Sequence, residues 1–145
     1  MYDHLRYPPH PDRARVPYFL VIAHQGAGIE VAETPTIGFP AIIESILLQT
    51  PFSPSAPYRV GFFVADSAFT TGDELNGRSL LEVSGDNQSG STKLVGMRSW
   101  GPVTFRPRAL LRQAGLRLRL VVDSGIITQP FSALFDLCPL FDWET

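Results

Sequence analysis

The chain of 145 residues is long enough for one domain with a sizeable buried core. Only 18% of its residues are charged, against roughly 25% in a usual soluble domain. This composition fits a surface that is partly used to bind a partner, and it fits equally a compact, weakly charged domain without such a surface. The net charge of −2 gives no electrostatic footprint for nucleic acid, and no apolar run approaches the ~20 residues needed to cross a bilayer, so we predict neither a nucleic-acid nor a membrane partner.

Residues 1–17 differ in composition from the rest of the chain, because they contain four of the thirteen prolines. Proline fixes φ and lacks a backbone donor, so this segment is expected to be extended and unable to join the centre of a sheet. Its apolar and basic side chains are suited to contacts with a protein surface (Tyr2, Leu5, Tyr7, Arg13 and Arg15). We therefore predict an N-terminal arm that docks on its own domain or on a neighbour, with a frayed terminus as the alternative. The first residues lack the apolar stretch of a secretory signal, so no signal peptide is expected.

Several apolar runs in the first half of the chain predict strands. Residues 18–24 are apolar without interruption, which predicts a strand buried on both faces. A turn at residues 25–28 precedes a short return strand over 29–32. Residues 41–50 fit a helical stripe as well as a strand, but their β-branched side chains and the flanking prolines favour a strand. Residues 58–65 predict a further strand.

The second half of the chain continues with short elements. Residues 78–84 and 92–98 predict a hairpin around a flexible tip at 85–91, and residues 102–106 predict a short strand. Residues 107–114 predict a helix of about two turns, because a proline stands early in the segment and Gly115 provides the stop.

The strand predicted over residues 115–123 organises the chain. Leucines and arginines alternate along it (Leu116, Arg117, Leu118, Arg119 and Leu120), which is the pattern of a strand with one buried and one wet face. Val121 and Val122 then indicate burial on both sides. The two arginines could meet a partner's carboxylates or phosphates, and a solvated sheet face is the simpler interpretation. Two final runs, residues 126–128 and 131–138, are expected to complete the sheet.

These eight to ten short strands, spaced about ten residues apart with turn signals between them, predict an all-β fold. The expected architecture is an antiparallel β-sandwich or barrel with an extended N-terminal arm and at most one short helix. The predicted organisation is an arm over 1–17, a β domain over 18–138 and a C-terminal tail over 139–145. In the tail, Phe141 and Trp143 lie beside acidic residues and suit contacts with a partner.

Residues 120–125, Leu-Val-Val-Asp-Ser-Gly, resemble the signature of retroviral-type aspartic proteases, in which two subunits each contribute one aspartate. In that family most of the domain follows the motif, whereas twenty residues follow Gly125 here. Asp and Ser also suit the turn at the end of a strand. We therefore favour a turn over a catalytic dyad at Asp123.

Other motifs also favour structure over chemistry. Residues 25–28, Gln-Gly-Ala-Gly, lack the features of a phosphate-binding loop and indicate a tight turn. Asp66, Asp73 and Glu74 lack the spacing of a calcium loop. Cys138 is the single cysteine, which excludes an intrachain disulfide and indicates a buried thiol. We predict no catalytic residue, no metal site and no cofactor, and hence a protein that is not an enzyme.

The layout of an aromatic-bearing arm (Tyr2 to Pro17), a strand-rich body (Tyr18 to Cys138) and arginine in preference to lysine resembles the decoration, or cement, proteins on capsids of tailed phages. It is most similar to their β-tulip or jelly-roll type. This resemblance implies a structural protein that is made in the host cytoplasm and binds the capsid surface of the virion. It further implies a homotrimer that contacts the major capsid protein and stabilises subunit junctions, with the arm and tail residues named above in partner contacts.

A second interpretation is a jelly-roll binding module that recognises carbohydrate or a receptor. It would use Trp100, Tyr58 and the tip at residues 85–91. Trp100 stands between two predicted strands, where a tryptophan more often covers the core than stacks on a sugar.

Overall fold

The computed structural model describes residues 14–23, 26–51, 56–80, 95–96 and 101–140. These residues form ten strands in two antiparallel sheets, without a helix among them, which confirms the predicted all-β fold and gives it the form of a sandwich. In chain order the strands are β1 (Val16–Ile22), β2 (Gly28–Glu33), β3 (Ala41–Thr50), β4 (Tyr58–Ala65), β5 (Arg78–Ser79), β6 (Val95–Gly96), β7 (Gly101–Phe105), β8 (Ala109–Leu111), β9 (Arg117–Ser124) and β10 (Phe131–Pro139). No helix in this part of the chain is long and apolar enough to cross a membrane.

The first sheet has the strand order β1-β10-β3-β7, and β8 also pairs with β3. The second sheet has the order β2-β9-β4-β5, and β6 also pairs with β4. In the first sheet the register shifts between Asp136 and Leu137, where β10 pairs with β3. Every pairing is antiparallel, as expected for short strands joined by turns.

The core lies between the two sheets and follows from the alternation of side chains along each strand. Leu118 and Leu120 of β9 are fully buried on the inner face of the second sheet. Phe62 of β4 meets Phe135 of β10 edge-to-face, with ring centroids 5.7 Å apart. Its ring also lies edge-on to Phe105 of β7 at 5.8 Å. These contacts join the two sheets, since β4 belongs to one and β7 and β10 to the other.

Six strand predictions are confirmed to within two residues at each end: residues 29–32, 41–50, 58–65, 102–106, 115–123 and 131–138. Residues 41–50, which also fitted a helix, form β3, and the organising strand is β9 in the interior of the second sheet. Val121 and Val122 are both fully buried, as their place at the end of the leucine–arginine alternation indicated.

The helix predicted over residues 107–114 is wrong. Residues 109–111 form β8 instead, and Ala41 of β3 pairs with Leu111, whose side chain is fully buried. A two-turn helix gains little from propensity alone, and Arg108 has a φ of 48°, outside the helical range. Pairing with β3 and burial of Leu111 therefore decide the local structure.

Other boundaries are shorter than predicted. The strand expected over residues 78–84 is described only as far as Leu80 and pairs there over Arg78–Ser79, while residues 81–84 lie outside the described residues. Residues 126–128 lie in the connection between β9 and β10, outside the named strands. The tip at 85–91 and most of the predicted strand over 92–98 lie outside the described residues.

The first strand was predicted to be buried on both faces, and this is wrong. β1 lies at the edge of the first sheet, with Leu20 and Ile22 in the core and Phe19 and Val21 on the outer face. An uninterrupted apolar run does not reveal whether a second layer covers the strand. Here one face of β1 has no such cover within the described part of the chain.

Candidate interaction surface

The outer face of the second sheet contains a buried arginine. Arg119 of β9 points away from the sandwich core, yet its side chain is only 1% exposed. Its Nε donates a hydrogen bond to Oε2 of Glu33 on the neighbouring β2 at 2.7 Å. The predicted wet face of β9 is therefore wrong for Arg119, whose carboxylate partner belongs to its own chain.

The same guanidinium also binds the connection between β4 and β5. Nη1 donates to the carbonyl oxygens of Asp73 and Asn76 at 3.2 and 2.9 Å, and Nη2 donates to that of Ser67 at 3.2 Å. Nη2 also lies 3.8 Å from Oδ2 of Asp73. The planar fork of arginine supplies the several donors that these carbonyls need. Arg119 therefore holds this connection against the outer face of the sheet.

We call residues 66–77 the cover loop, because they lie over apolar side chains of the second sheet. Phe63 and Val121 are fully buried on the outer face, and Leu75 of the loop packs against them. The backbone N–H of Phe69 donates to Oε1 of Glu33 at 3.1 Å. Glu33 and Arg119 therefore both bind the cover loop. The second sheet thus has a second, smaller apolar layer on its outer side.

The candidate residues in and near the cover loop have structural roles. Oδ1 of Asp73 accepts the N–H of Thr70 at 3.1 Å, and Oε1 of Glu74 accepts the N–H of Gly72. Within the described ranges no cluster of three metal-ligating side chains is found.

Asp123, the aspartate of the protease-like motif, has an ion-pair partner in its own chain. It lies in β9, and its Oδ2 accepts a hydrogen bond at 3.0 Å from Nη2 of Arg59, directly across from it on β4.

The outer face of the first sheet is different. In its register Phe19 of β1 lies opposite Leu134 of β10, and Leu134 lies opposite Leu47 of β3. The alternation of each strand places all three side chains outward, since the neighbours of each along the chain point into the core or toward it. We call Phe19, Leu134 and Leu47 the apolar row; it crosses three adjacent strands.

The apolar row remains accessible. Phe19 is 62% exposed, Val21 beside it on β1 is 43% exposed, and Leu134 and Leu47 are half-buried. The next outward-facing residues along the same three strands, on one side of the apolar row, are uncharged: Val21, Ser132 and Gln49. The row on the other side is Pro17, Asp136 and Ser45, so one carboxylate borders the apolar row. Among the described residues nothing takes the place of the cover loop on this sheet. An exposed apolar surface that polar residues surround is typical of an interaction site.

The free edge of β1 adds to this surface. Within the described residues β1 pairs with β10 alone, and none of its seven residues is charged. Exposed edge strands are usually protected by charges, bulges or prolines, because their backbone groups can pair with another chain. Pro17 is the one such protection in β1. The exposed outer face and an edge that pairs with no further described strand thus belong to the same strand.

Arg15 is the predicted arm residue that lies within the described ranges. Its Nε donates to Oε2 of Glu44, and its Nη1 lies 3.5 Å from Sγ of Cys138, which is buried as predicted. Burial opposes the charged form of Arg15, but the hydrogen bond to Glu44 and the nearby Cys138 and Asp136 outweigh it and raise the pKa of the guanidinium. Arg15 therefore attaches the start of the described chain to the outer side of the first sheet.

The remaining predicted contact residues lie outside the described residues (Tyr2, Leu5, Tyr7, Arg13, Phe141 and Trp143). Their assignment to partner contacts stays a prediction, as does that of Arg15. Trp100 and the tip at 85–91 also lie outside the described residues. Tyr58, which the carbohydrate interpretation used, is only 6% exposed and its ring meets Phe131 edge-to-face at 5.1 Å, so it belongs to the core.

Sequence reasoning missed the apolar row. Inward and outward residues of β1 are equally apolar, so the pattern gives no sign of which face is exposed. The absence of any charge from β1 was the signal that could have identified an edge in need of a partner.

A scan against protein-family models and a search of curated proteins found no match to the chain. Among solved structures, the chain is similar to one described as the structure of infectious bursal disease virus, Gx strain. The similarity covers 90% of this chain and 34% of that chain, with 9% sequence identity and a TM-score of 0.31. The chain thus spans about a third of the length of that viral protein.

Proposed function

We propose that this protein is a structural component of a virion, which binds the outside of a phage capsid as a homo-oligomer and stabilises the junctions between capsid subunits. The expected oligomer is a trimer, as in the decoration proteins that the chain resembles in layout. The observation that carries the proposal is the accessible apolar row of Phe19, Leu134 and Leu47.

The proposed occupant of this face is a second copy of the chain. A stable homo-oligomer interface is more apolar than the average protein surface and has few charges at its centre. The apolar row meets both conditions, and the adjacent edge of β1 carries no charge that would repel a neighbouring copy. Covering the exposed 62% of Phe19 would contribute about 1–2 kcal/mol.

The position of the arm also supports contact between copies. Residues 1–13 precede Arg15, which is fixed on the outer side of the first sheet by Glu44. Thirteen residues in an extended, proline-rich conformation span about 40 Å, whereas four adjacent strands span about 14 Å from first to last. A segment of this length, if extended, would be long enough to cross its own sheet and contact a neighbour.

The test is the solution mass of the full chain and of two variants, measured by light scattering over a range of concentrations. Phe19→Arg places a charge in the apolar row, and Ile126→Arg places the same charge on a different exposed apolar side chain. The two positions are matched, because Phe19 is 62% and Ile126 61% exposed. We expect an oligomer for the unmodified chain and for Ile126→Arg, and dissociation toward monomer for Phe19→Arg.

A monomeric full chain would contradict the proposal, and so would equal masses for the two variants. A chain starting at Val16 tests the arm separately, together with co-sedimentation with capsids that lack the protein. Unchanged self-association and unchanged capsid binding would remove the arm from the interface.

A further inference from the structure

A cleft of about 400 Å³ lies on the flank of the sandwich away from β1, where β8 approaches β4, β5 and the cover loop. Apolar side chains of both sheets and of the β8–β9 connection contribute to its lining (Val64, Ala65, Leu110 and Leu116). Arg78 and Arg112 are exposed at its rim. A volume of this size is in the range of sites that bind small organic groups or side chains.

The charges deep in the cleft are already balanced. Arg119 belongs to the lining, but its guanidinium is held by Glu33 at 2.7 Å and lies 3.8 Å from Asp73. Asp73 in turn accepts the N–H of Thr70. These groups therefore hold the cover loop in place and leave little charge for a ligand.

The charges at the rim are not balanced in this way. Nη2 of Arg78 donates to the carbonyl oxygen of Leu110 at 3.2 Å, which directs the guanidinium from β5 toward β8. Arg112 follows β8 and has no ion-pair partner among the described residues. Among the described lining residues, Asp66 is the one carboxylate outside the Arg119 network. Two arginines against one aspartate leave the described part of the rim positive.

We propose that this cleft binds an acidic peptide segment of a partner protein, with a carboxylate at Arg78 and Arg112 and a neighbouring apolar side chain on the apolar lining. Arginine binds carboxylates through paired N–H donors, which makes it suited to this recognition. An exposed ion pair alone contributes little in water, so the apolar contact is needed for measurable binding. The inference rests on the proposed function only for the source of the peptide, which in an assembly is a neighbouring subunit.

The test is a titration of the full chain into a fluorescein-labelled peptide, acetyl-Phe-Asp-Phe-Glu, followed by fluorescence anisotropy. The matched peptide acetyl-Phe-Asn-Phe-Gln has the same shape without the carboxylates. We expect saturable binding of the acidic peptide and binding at least about tenfold weaker for the neutral one, since hydrogen bonds to charged groups are the stronger ones.

Two protein variants locate the site. Arg112→Glu reverses the charge at the rim, and Arg106→Glu makes the same change at an exposed arginine that does not line the cleft. We expect Arg112→Glu to weaken binding at least about tenfold and Arg106→Glu to change it less than about twofold. Unfolding curves of both variants show whether the fold is kept.

Absence of saturable binding would overturn the proposal, and so would equal weakening by the two variants. Displacement of the peptide by inorganic phosphate at equal concentration would assign the rim to small anions instead. Binding that emerges only after Asp142→Asn and Glu144→Gln would assign the cleft to the chain's own acidic segment, which also overturns a partner peptide. These measurements test peptide binding, whereas the proposed function is tested by oligomer mass. Each proposal can therefore fail while the other holds.

Discussion

The outer faces of the two sheets both carry apolar side chains, but they differ in how far those side chains are shielded from solvent. Each presents apolar side chains away from the sandwich core, with Phe63 and Val121 on the second sheet and the apolar row on the first. The second sheet covers its residues with residues 66–77 of its own chain. The first sheet leaves Phe19 62% exposed, with no equivalent cover among the described residues.

The difference lies in what holds a cover in place. The cover loop is mostly polar: Leu75 packs against Phe63 and Val121, and the ring centroid of Phe69 lies 5.6 Å from the guanidinium of Arg119. The loop is held by Arg119 and Glu33, whose side chains together bind the backbone of four loop residues: Ser67, Phe69, Asp73 and Asn76. A buried arginine is stable here because its donors and its charge are satisfied. On the outer face of the first sheet the described residues provide the ion pair of Arg15 with Glu44, but no described loop that is held over Phe19.

The largest expected effect is the loss of this anchor. Arg119→Ala leaves the carboxylate of Glu33 half-buried without its closest partner and removes the donors to three loop carbonyls. We expect the free energy of unfolding to fall by about 3–5 kcal/mol, as for other broken buried pairs. Chemical denaturation measures this change.

Arg117→Ala is the matched control for Arg119→Ala. Arg117 contacts the same Glu33, at 3.4 Å, but its side chain is 28% exposed. Its loss is expected to lower stability by at most about 1 kcal/mol. Equal effects of the two variants would show that the loop does not depend on Arg119.

The second prediction compares one outward-facing phenylalanine from each sheet. Phe63→Ala removes a fully buried ring beneath the cover loop and is expected to lower the free energy of unfolding by about 3 kcal/mol, at the lower end of the range for this substitution because the loop can partly collapse. Phe19→Ala is expected to change the stability of the monomer by at most about 0.5 kcal/mol, since a mostly exposed side chain loses little packing. Denaturation at concentrations low enough to keep the protein monomeric measures both.

A large effect of Phe19→Ala on the monomer would mean that a segment of the same chain covers the first sheet. That result would contradict the assignment of this face to a second copy. A small effect of Phe63→Ala would contradict the role of the cover loop as an apolar layer.

Much of the fold could be predicted from the sequence, because its causes are local. The alternation of leucine and arginine along residues 116–120 predicts β9 and its inner face, and Leu118 and Leu120 are fully buried there. The β-branched residues of β3 likewise outweigh its helical spacing. Turn residues at both ends of these strands locate them in the chain.

The outer faces could not be predicted, because they depend on pairs far apart in the sequence. Arg119 is buried only because Glu33, 86 residues away, lies beside it in the sheet and residues 66–77 fold over both. A period of two residues identifies the side of a strand but not whether that side is covered. The same limit explains why Phe19 was expected in the core and β8 was expected to be helical.

The third prediction tests how closely the cover loop approaches the sheet. Gly77 has a φ of +124°, and a Cβ at this position would lie 2.6 Å from the carbonyl oxygen of Val64. Gly72, in the same loop, has a φ of +100° and open space around such a Cβ. Replacing either glycine strains the backbone, since L-residues rarely adopt these φ angles. Only at Gly77 would the added Cβ also clash with β4.

We therefore expect Gly72→Ala to lower the free energy of unfolding by about 1 kcal/mol through its φ alone, and Gly77→Ala by about 2–3 kcal/mol through both causes. The difference between the two variants measures the contact of the loop with β4. Limited proteolysis within residues 66–77 provides a second measurement, because a displaced loop is cleaved at lower protease concentrations. If Gly77→Ala exposes the loop, the second sheet would present Phe63 and Val121 to solvent in the way the first sheet presents Phe19. The variant should then self-associate more strongly than Gly72→Ala, and equal association of the two would mean that an uncovered apolar face is not sufficient to bring copies of this chain together.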